Sequence, residues 1–166
     1  YQFEGLGAQS PVGQSRTAPA VHAMASARLG FVSCSHWERG YFSAYRHLAE
    51  EQPDLVFFLG DYIYDSSYAA DSGKIIRPHG SGNAVSLSDY RNRYALYKTD
   101  PDLQALHAAA PSVATWDDHD FGLNDAGASF PMRRWGEELF ETFWGSSAEV
   151  RGRDGIYDSS ITGPEG

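Results

Sequence analysis

The sequence of 166 residues predicts an α/β layered fold. Short apolar runs alternate along the chain with segments whose apolar residues recur at helical spacing, a pattern typical of strands alternating with helices. The run Leu-Val-Phe-Phe-Leu at residues 55–59 is unbroken, as expected of a central strand buried on both faces. With 42% hydrophobic and 14% aromatic residues, the chain has enough apolar surface to form a core.

The N-terminal segment differs from the rest in composition. Residues 1–7 alternate loosely and predict a short strand with no obvious partner nearby. Residues 8–20 are rich in Ser, Pro, Gly and Gln, which favours a linker. We therefore interpret residues 1–20 as the end of a preceding domain plus a linker, and residues 21–166 as the main domain.

The main domain contains four predicted strands and four predicted helices. The strands are expected at residues 29–33, 55–59, 111–116 and 156–161. The helices are expected at residues 41–51, from Ser86 or Ser88 to 98, at 100–110 with Pro101 in the first turn, and at 135–144. Residues 66–85 are polar, Gly-rich and aperiodic, which predicts a functional or mobile loop.

Composition excludes several classes of partner. The net charge of −9 disfavours binding to nucleic acid and to anionic membranes. No stretch approaches the ~20 apolar residues that a membrane helix needs, so no stable membrane insertion is expected. Cys34 is the single cysteine, which rules out an intrachain disulfide. The N-terminus, which starts at Tyr1, has no signal-peptide pattern.

Three predicted strands are each followed at once by a cluster of potential ligands. In open α/β sheets, ligands bind at the carboxyl ends of the strands, and neighbouring parallel strands lie about 5 Å apart. If these strands are parallel neighbours, the clusters meet at one sheet edge and can share a metal ion. The clusters are Ser33-Cys34-Ser35-His36, Gly60-Asp61-Tyr62-Ile63-Tyr64-Asp65 and Trp116-Asp117-Asp118-His119-Asp120.

Each cluster also has an interpretation that does not involve a metal ion. Asp61 follows Gly60 at a strand end, where its carboxylate can bridge two ions or simply cap a turn. Asp117, Asp118 and Asp120 surround His119, and their mutual repulsion would be relieved by a cation. The alternative is a solvated acidic turn whose carboxylates bind backbone amides. Cys34, taken alone, is more typical of a small buried apolar residue.

The motifs in this order resemble the PhoD-type alkaline phosphatases, a branch of the calcineurin-like metallophosphoesterases. The similarity covers residues from about 10 to 166, and the preceding domain would by resemblance be sandwich-like. It implies a four-layer α-β-β-α sandwich, of which this chain would hold only the first half. The stretches that carry the resemblance are Phe-Val-Ser-Cys-Ser (31–35), Leu-Gly-Asp-Tyr-Ile-Tyr-Asp (59–65), residues 89–104, Trp-Asp-Asp-His-Asp (116–120) and Asn124.

The resemblance also implies cofactors and their ligands. Cys34, Asp61 and Tyr64 would bind a ferric ion, Fe3+, with Asp61 bridging to calcium. Asp118 and Asn124 would bind Ca2+ ions. Thiolate and phenolate are strong anionic donors that suit Fe3+, whereas Ca2+ takes oxygen ligands only.

The implied activity is metal-dependent hydrolysis of phosphomonoesters or phosphodiesters. His119 would hold the phosphate or protonate the leaving oxygen, with Asp118 beside it in the catalytic site. Arg77 and His79, in the long loop, are candidates for binding the substrate, and an ordinary exposed loop position is the alternative for His79.

The resemblance further implies export to the periplasm or the extracellular space. Later ligands of the superfamily do not occur before Gly166, so we expect weak or no activity from this chain alone. Two alternatives remain open. The chain could be a non-catalytic, metal-binding fragment or subunit that a missing C-terminal segment or second chain completes, or a phospholipase D-like phosphodiesterase.

Overall fold

The structure, a computed structural model, describes residues 1–20, 22–23, 25–151, 153 and 155–159. It begins with a small hairpin in which β1 (Glu4–Gly5) pairs antiparallel with β2 (Ala8–Gln9). Leu6 and Gly7 connect the two strands and both have positive φ, as a type I′ hairpin turn requires. The prediction of an unpartnered strand was therefore wrong, because its partner lies in the segment interpreted as a linker. The assignment of residues 1–20 to a preceding domain stays a prediction.

The main sheet contains three parallel strands, β3 (Leu29–Val32), β4 (Leu55–Leu59) and β5 (Ser112–Thr115). Their spatial order is β3-β4-β5, with Val32 opposite Phe58 and Leu59 opposite Thr115. All three strands therefore end at the same edge of the sheet. The expectation of an α/β fold with parallel neighbouring strands is confirmed.

The helices follow the predicted order, with two additions that are too short to show helical periodicity. These are a 3₁₀ turn at Trp37–Arg39 and a one-turn helix directly after β5. The α-helices are α1 (Ser43–Glu50), α2 (Leu87–Tyr97), α3 (Pro101–Ala109), α4 (Asp118–Phe121) and α5 (Arg133–Trp144). Residues 60–86, all of them described, contain no helix or strand, which agrees with the predicted loop.

Side-chain caps fix where two of these helices start. Ser86, rather than Ser88, caps α2, and its hydroxyl accepts a hydrogen bond from Asp89 N at 3.2 Å. Asp89 returns the interaction by accepting from Ser86 N at 2.9 Å, which completes a capping box. Asp100 caps α3 by accepting from the backbone N–H groups of Asp102 and Leu103. These contacts satisfy N–H groups that a helix leaves unpaired at its first turn.

The core lies on the helix-covered face of the sheet. Val56 and Phe58 of β4 are fully buried there, and the tyrosines of α2 pack beside them. The opposite face carries Leu29, Phe31 and Leu59, each about half exposed, so burial of β4 on both faces was a wrong prediction for this chain. An apolar face of this kind is what a further layer would cover in a layered α/β fold.

The fourth predicted strand, residues 156–161, is only partly described. Residues 156–159 form no strand, and 160–161 lie outside the described residues. Among the helices of the described part of the chain, none has the length and apolar character needed to cross a bilayer.

His107 of α3 offers a test of the core through the pH dependence of stability. Its ring stacks on Phe58 with centroids 5.3 Å apart, and its Nε2 lies 2.9 Å from the Tyr62 hydroxyl. Burial, and to a lesser extent Lys98, lowers the pKa of His107 to about 4. Since an unfolded histidine titrates near 6.5, unfolding takes up a proton between these values, and stability falls as the pH falls through this window.

We expect His107→Gln to remove about one proton from the uptake on unfolding between pH 4 and 6.5. Urea unfolding at a series of pH values measures this quantity as the slope of the unfolding free energy. His47→Gln is the control, because His47 is largely exposed on α1. An unchanged slope in the His107 variant would show that the native state does not exclude this proton.

Candidate metal centre

At the carboxyl edge of the sheet, the chain turns sharply after two of the strands. Cys34 follows β3 and Asp61 follows β4, and these residues adopt φ values of 56° and 51°. Positive φ is uncommon outside glycine, costs about 1–3 kcal/mol, and is found most often at functional sites. The Cys34 N–H donates to the carbonyl of Gly60 at 3.3 Å, which joins the ends of β3 and β4.

Gly60 allows the end of β5 to come close to the end of β4. Its φ is +98°, and a Cβ placed on it would lie only 2.6 Å from the Cβ of Asp117. A larger residue would have to push Asp117 away. This close approach brings the second and third ligand clusters together.

Asp120 fastens the same two strand ends. One of its carboxylate oxygens accepts from the backbone N–H groups of Tyr62 at 2.8 Å and Ile63 at 3.1 Å. The other accepts from Asp117 N at 2.9 Å. Burial raises the pKa of Asp120 to about 7, even though these N–H groups act in the opposite direction. The carboxylate thus connects the turn after β4 with the start of α4.

Asp61, Asp118 and His119 form a compact group of possible ligands. One ligand atom from each lies within 4.8 Å of the others. Asp61 Oδ1 is buried and has no hydrogen-bond partner within the described part of the chain. Burial raises the pKa of Asp61, and the charges of Asp118 and Asp117 add to this effect. An unpaired buried carboxylate oxygen is costly, and a cation at this point would satisfy it.

His119 is oriented by a second carboxylate, because its Nδ1 lies 2.6 Å from Asp65 Oδ1. Burial acts to lower the pKa of His119. The hydrogen bond to Asp65, together with the negative charges of Asp61, Asp65 and Asp118, outweighs burial and raises it. Asp65 therefore fixes the ring and favours the protonated imidazolium.

Tyr64 lies beside this group, and its hydroxyl donates to Asp61 Oδ2 at 2.9 Å. The rings of His36 and His119 each have their centroid 4.4 Å from that of Tyr64. Burial, then the hydrogen bond and charge of Asp61, raises the pKa of Tyr64. The exposed Cys34 thiol is within hydrogen-bonding reach of the same hydroxyl.

The predicted metal ligands are thus brought together to different degrees. Asp61, Tyr64 and Asp118 share one location, and Cys34 lies at the neighbouring strand end without belonging to the compact group. Asn124 is exposed, and its amide donates to Asp125 Oδ2 at 2.6 Å. The N–H of Asp125 in turn donates to Asp118 Oδ2. The metal-binding roles of these residues stay predictions.

Arg77 and His79 are both buried by contacts within the chain. Arg77 pairs with Asp100 at 2.5 Å, and its guanidinium lies 3.5 Å from the centroid of the Trp37 ring. His79 Nε2 lies 3.2 Å from the Tyr97 hydroxyl, and burial lowers the pKa of His79 to about 3. These contacts hold the long loop against α2 and the 3₁₀ turn. Binding of substrate by Arg77 and His79 stays a prediction.

Sequence reasoning missed the supporting residues. Asp117 and Asp120 stand at the spacing of a helix capping box, which could have indicated α4 and the structural role of Asp120. No local signal pairs Asp65 with His119, because 54 residues separate them. Glu38 is also buried, and it accepts from Tyr68 N at 2.7 Å and from His79 N at 3.2 Å.

A parallel α/β sheet with carboxylates and an imidazole gathered at its strand ends is the arrangement at which α/β proteins bind ligands, and here it forms a possible metal site. The family model described as PhoD-like phosphatase matches residues 29–127. The chain belongs to this family. Alkaline phosphatase D of Bacillus subtilis (strain 168) is 45% identical over 130 residues, covering 76% of this chain and 22% of that protein.

A solved structure agrees with this assignment. The protein described as "Structure of PhoD" matches with a TM-score of 0.71 and 42% sequence identity. The match covers 78% of this chain and 25% of that one. The chain therefore spans a quarter or less of the length of these relatives.

The role of Asp120 is tested by two substitutions. Asp120→Ala removes the acceptor of two buried backbone N–H groups and one partly buried one, and we expect it to lower the free energy of unfolding by about 3 kcal/mol. Asp120→Asn keeps one carbonyl oxygen for Tyr62 and Ile63 and should cost clearly less. Urea unfolding followed by circular dichroism measures both. Equal, small losses would show that Asp120 does not join the strand ends.

Proposed function

We propose that this chain supplies part of the active site of a metal-dependent phosphoric ester hydrolase. The observation that carries the proposal is the convergence of Asp61, Asp118 and His119 within 4.8 Å, at the carboxyl edge of a parallel sheet. Membership of the PhoD-like phosphatase family supports the same reaction class. The substrates proposed are phosphomonoesters, phosphodiesters or both.

The donor set fits a metal centre. Asp61 has one carboxylate oxygen that is buried and unpaired within the described residues and one that Tyr64 contacts, so it is suited to bridging. Cys34 and Tyr64 offer thiolate and phenolate for Fe3+. Asp118 and Asn124 offer oxygen ligands for Ca2+. When bound, such cations activate a water molecule and offset charge on the phosphoryl oxygens.

Tyr64 can act as a strong ligand only if its phenolate form is stabilised electrostatically. Burial and the neighbouring carboxylate of Asp61 raise the pKa of Tyr64, so both oppose the phenolate. The Tyr64 hydroxyl would lose its proton more readily beside a highly charged cation, as other coordinated acids do. The hydroxyl proton now shared with Asp61 Oδ2 would leave on coordination.

His119 is the proposed acid and phosphate-binding group. Asp65 engages Nδ1, which leaves Nε2 as the nitrogen that gives a proton to the leaving oxygen. In the metal-free chain, the hydrogen bond to Asp65 and the negative charges nearby raise the pKa of His119. The hydrogen bond to Asp65 would remain to favour the protonated ring if Asp61 and Asp118 held a cation. Asp118, beside it in the compact group, adds to this negative potential and is the second proposed catalytic residue.

The chain spans 22% of alkaline phosphatase D of Bacillus subtilis, so we propose that full activity needs further ligands from a C-terminal segment or a second chain. By itself the chain is expected to bind metal and to hydrolyse esters weakly or not at all. We also propose export from the cytoplasm, which rests on the resemblance.

The test compares Asp61→Asn with the wild-type chain. Loss of the bridging carboxylate should lower the affinity for iron about tenfold or more, because an amide is a far weaker ligand than a carboxylate. Elemental analysis after exposure to Fe3+ and Ca2+ and removal of excess ions measures the bound metal. Hydrolysis of p-nitrophenyl phosphate and of its diester is assayed on the same samples.

Asp71→Asn is the matched control, since Asp71 is an exposed carboxylate in the long loop. Equal iron content in wild type, Asp61→Asn and Asp71→Asn would contradict the proposed centre. Specific iron binding together with hydrolysis of an ester by this chain alone would favour the enzyme over a non-catalytic metal-binding chain. Hydrolysis of phosphatidylcholine in preference to p-nitrophenyl phosphate would favour the phospholipase alternative.

A further inference from the structure

His36 is a site-edge residue with no role in the reaction described above. Its ring is close to three aromatic or imidazole rings of the long loop. It lies 4.4 Å from the Tyr64 centroid, 5.0 Å from that of Tyr68 and 5.4 Å from that of His79. The geometry points to His36 as a positioning residue for Tyr64: its ring packs against the phenol and holds the hydroxyl at Asp61.

Tyr64 requires such support because of where it lies. The residues around it, 60–86, contain no helix or strand, so regular backbone structure does not fix its side chain. Its hydroxyl has a hydrogen bond to Asp61 Oδ2, which fixes the oxygen but leaves the ring free to pivot around it. Ring contacts with His36 and His119, each at 4.4 Å, restrict that pivoting.

His36 is itself held firmly enough to do this. It is the N-cap of the 3₁₀ turn, and its Nδ1 accepts a hydrogen bond from Glu38 N at 3.1 Å. The side chain of Glu38 accepts from the backbone N–H groups of Tyr68 and His79, whose rings contact His36. The 3₁₀ turn and the long loop therefore both restrict the position of the His36 ring.

The two imidazoles next to Tyr64 have separable roles. His119 is bound by Asp65 and belongs to the compact group, so a change there alters the proposed chemistry directly. His36 lies outside that group, and its ring contacts Tyr64. A ligand oxygen must be held within a fraction of an ångström of its working position, and contacts behind the ligands provide this.

Because a positioned Tyr64 matters only if the proposed metal site exists, this role rests on the proposed function. Two substitutions separate the ring of His36 from its cap. His36→Phe keeps a flat ring but loses the acceptor for Glu38 N. His36→Asn keeps a good capping group but loses the ring. The control is His47→Asn on the exposed face of α1.

The measurement is fluorine NMR of metal-free chain labelled with 3-fluorotyrosine, with the Tyr64 resonance identified by its loss in Tyr64→Phe. We expect His36→Asn to move the Tyr64 resonance towards the position of free fluorotyrosine and to narrow it. His36→Phe should keep the displaced, broad resonance, and His47→Asn should change nothing. An unmoved resonance in His36→Asn, or equal movement in the Asn and Phe variants, would overturn the positioning role.

The other tyrosine resonances report whether each variant is folded. Should His36→Asn unfold the chain, His36→Ser gives the same comparison, because serine also caps and has no ring. After loading with Fe3+, the visible absorption of a ferric phenolate should be weaker in the Asn variant than in the Phe variant. A wild-type chain that gains no such absorption would contradict the proposed metal site, while the metal-free spectra would still decide the role of His36.

Discussion

The buried carboxylate of Asp120 is the constraint on which the site depends. Side chains at strand ends converge only if the turns that follow the strands are held together. Asp120 does this by accepting from Tyr62 N and Ile63 N on one side and from Asp117 N on the other. Gly60 makes the same contact sterically possible, since a Cβ there would collide with Asp117. Asp61 and Asp118, which flank these contacts, are thereby brought into one group.

Much of this arrangement could be predicted from the sequence. The unbroken apolar run of β4 predicted a strand of a parallel sheet, and the ligand clusters after three strands predicted the edge where ligands gather. Both predictions were possible because they depend on local sequence pattern. Ser86 was one of two candidate caps of α2, and Asp100 was the first residue of the predicted α3. The short helix α4 was not, because four residues are too few to show a period.

What the sequence could not give was long-range pairing. Asp65 and His119 interact although 54 residues separate them, and Arg77 and Asp100 are 23 residues apart. No local sequence rule indicates either contact. The loop 60–86 has no regular structure, and its conformation depends on buried polar groups such as Glu38 and Arg93. Arg93 donates from Nη2 to the carbonyls of Asp65 and Gly82. Site geometry therefore depends on tertiary contacts that only the folded chain shows.

The central claim is that three strand ends form one cation site. Titration of the 15N-labelled chain with Mn2+, a paramagnetic ion that takes oxygen ligands, tests it most directly by NMR. We expect the amide resonances of Cys34, Asp61 and Asp118 to broaden together at low Mn2+, before that of the exposed Glu149. Broadening of these three resonances at different Mn2+ concentrations, or no earlier than that of Glu149, would contradict it.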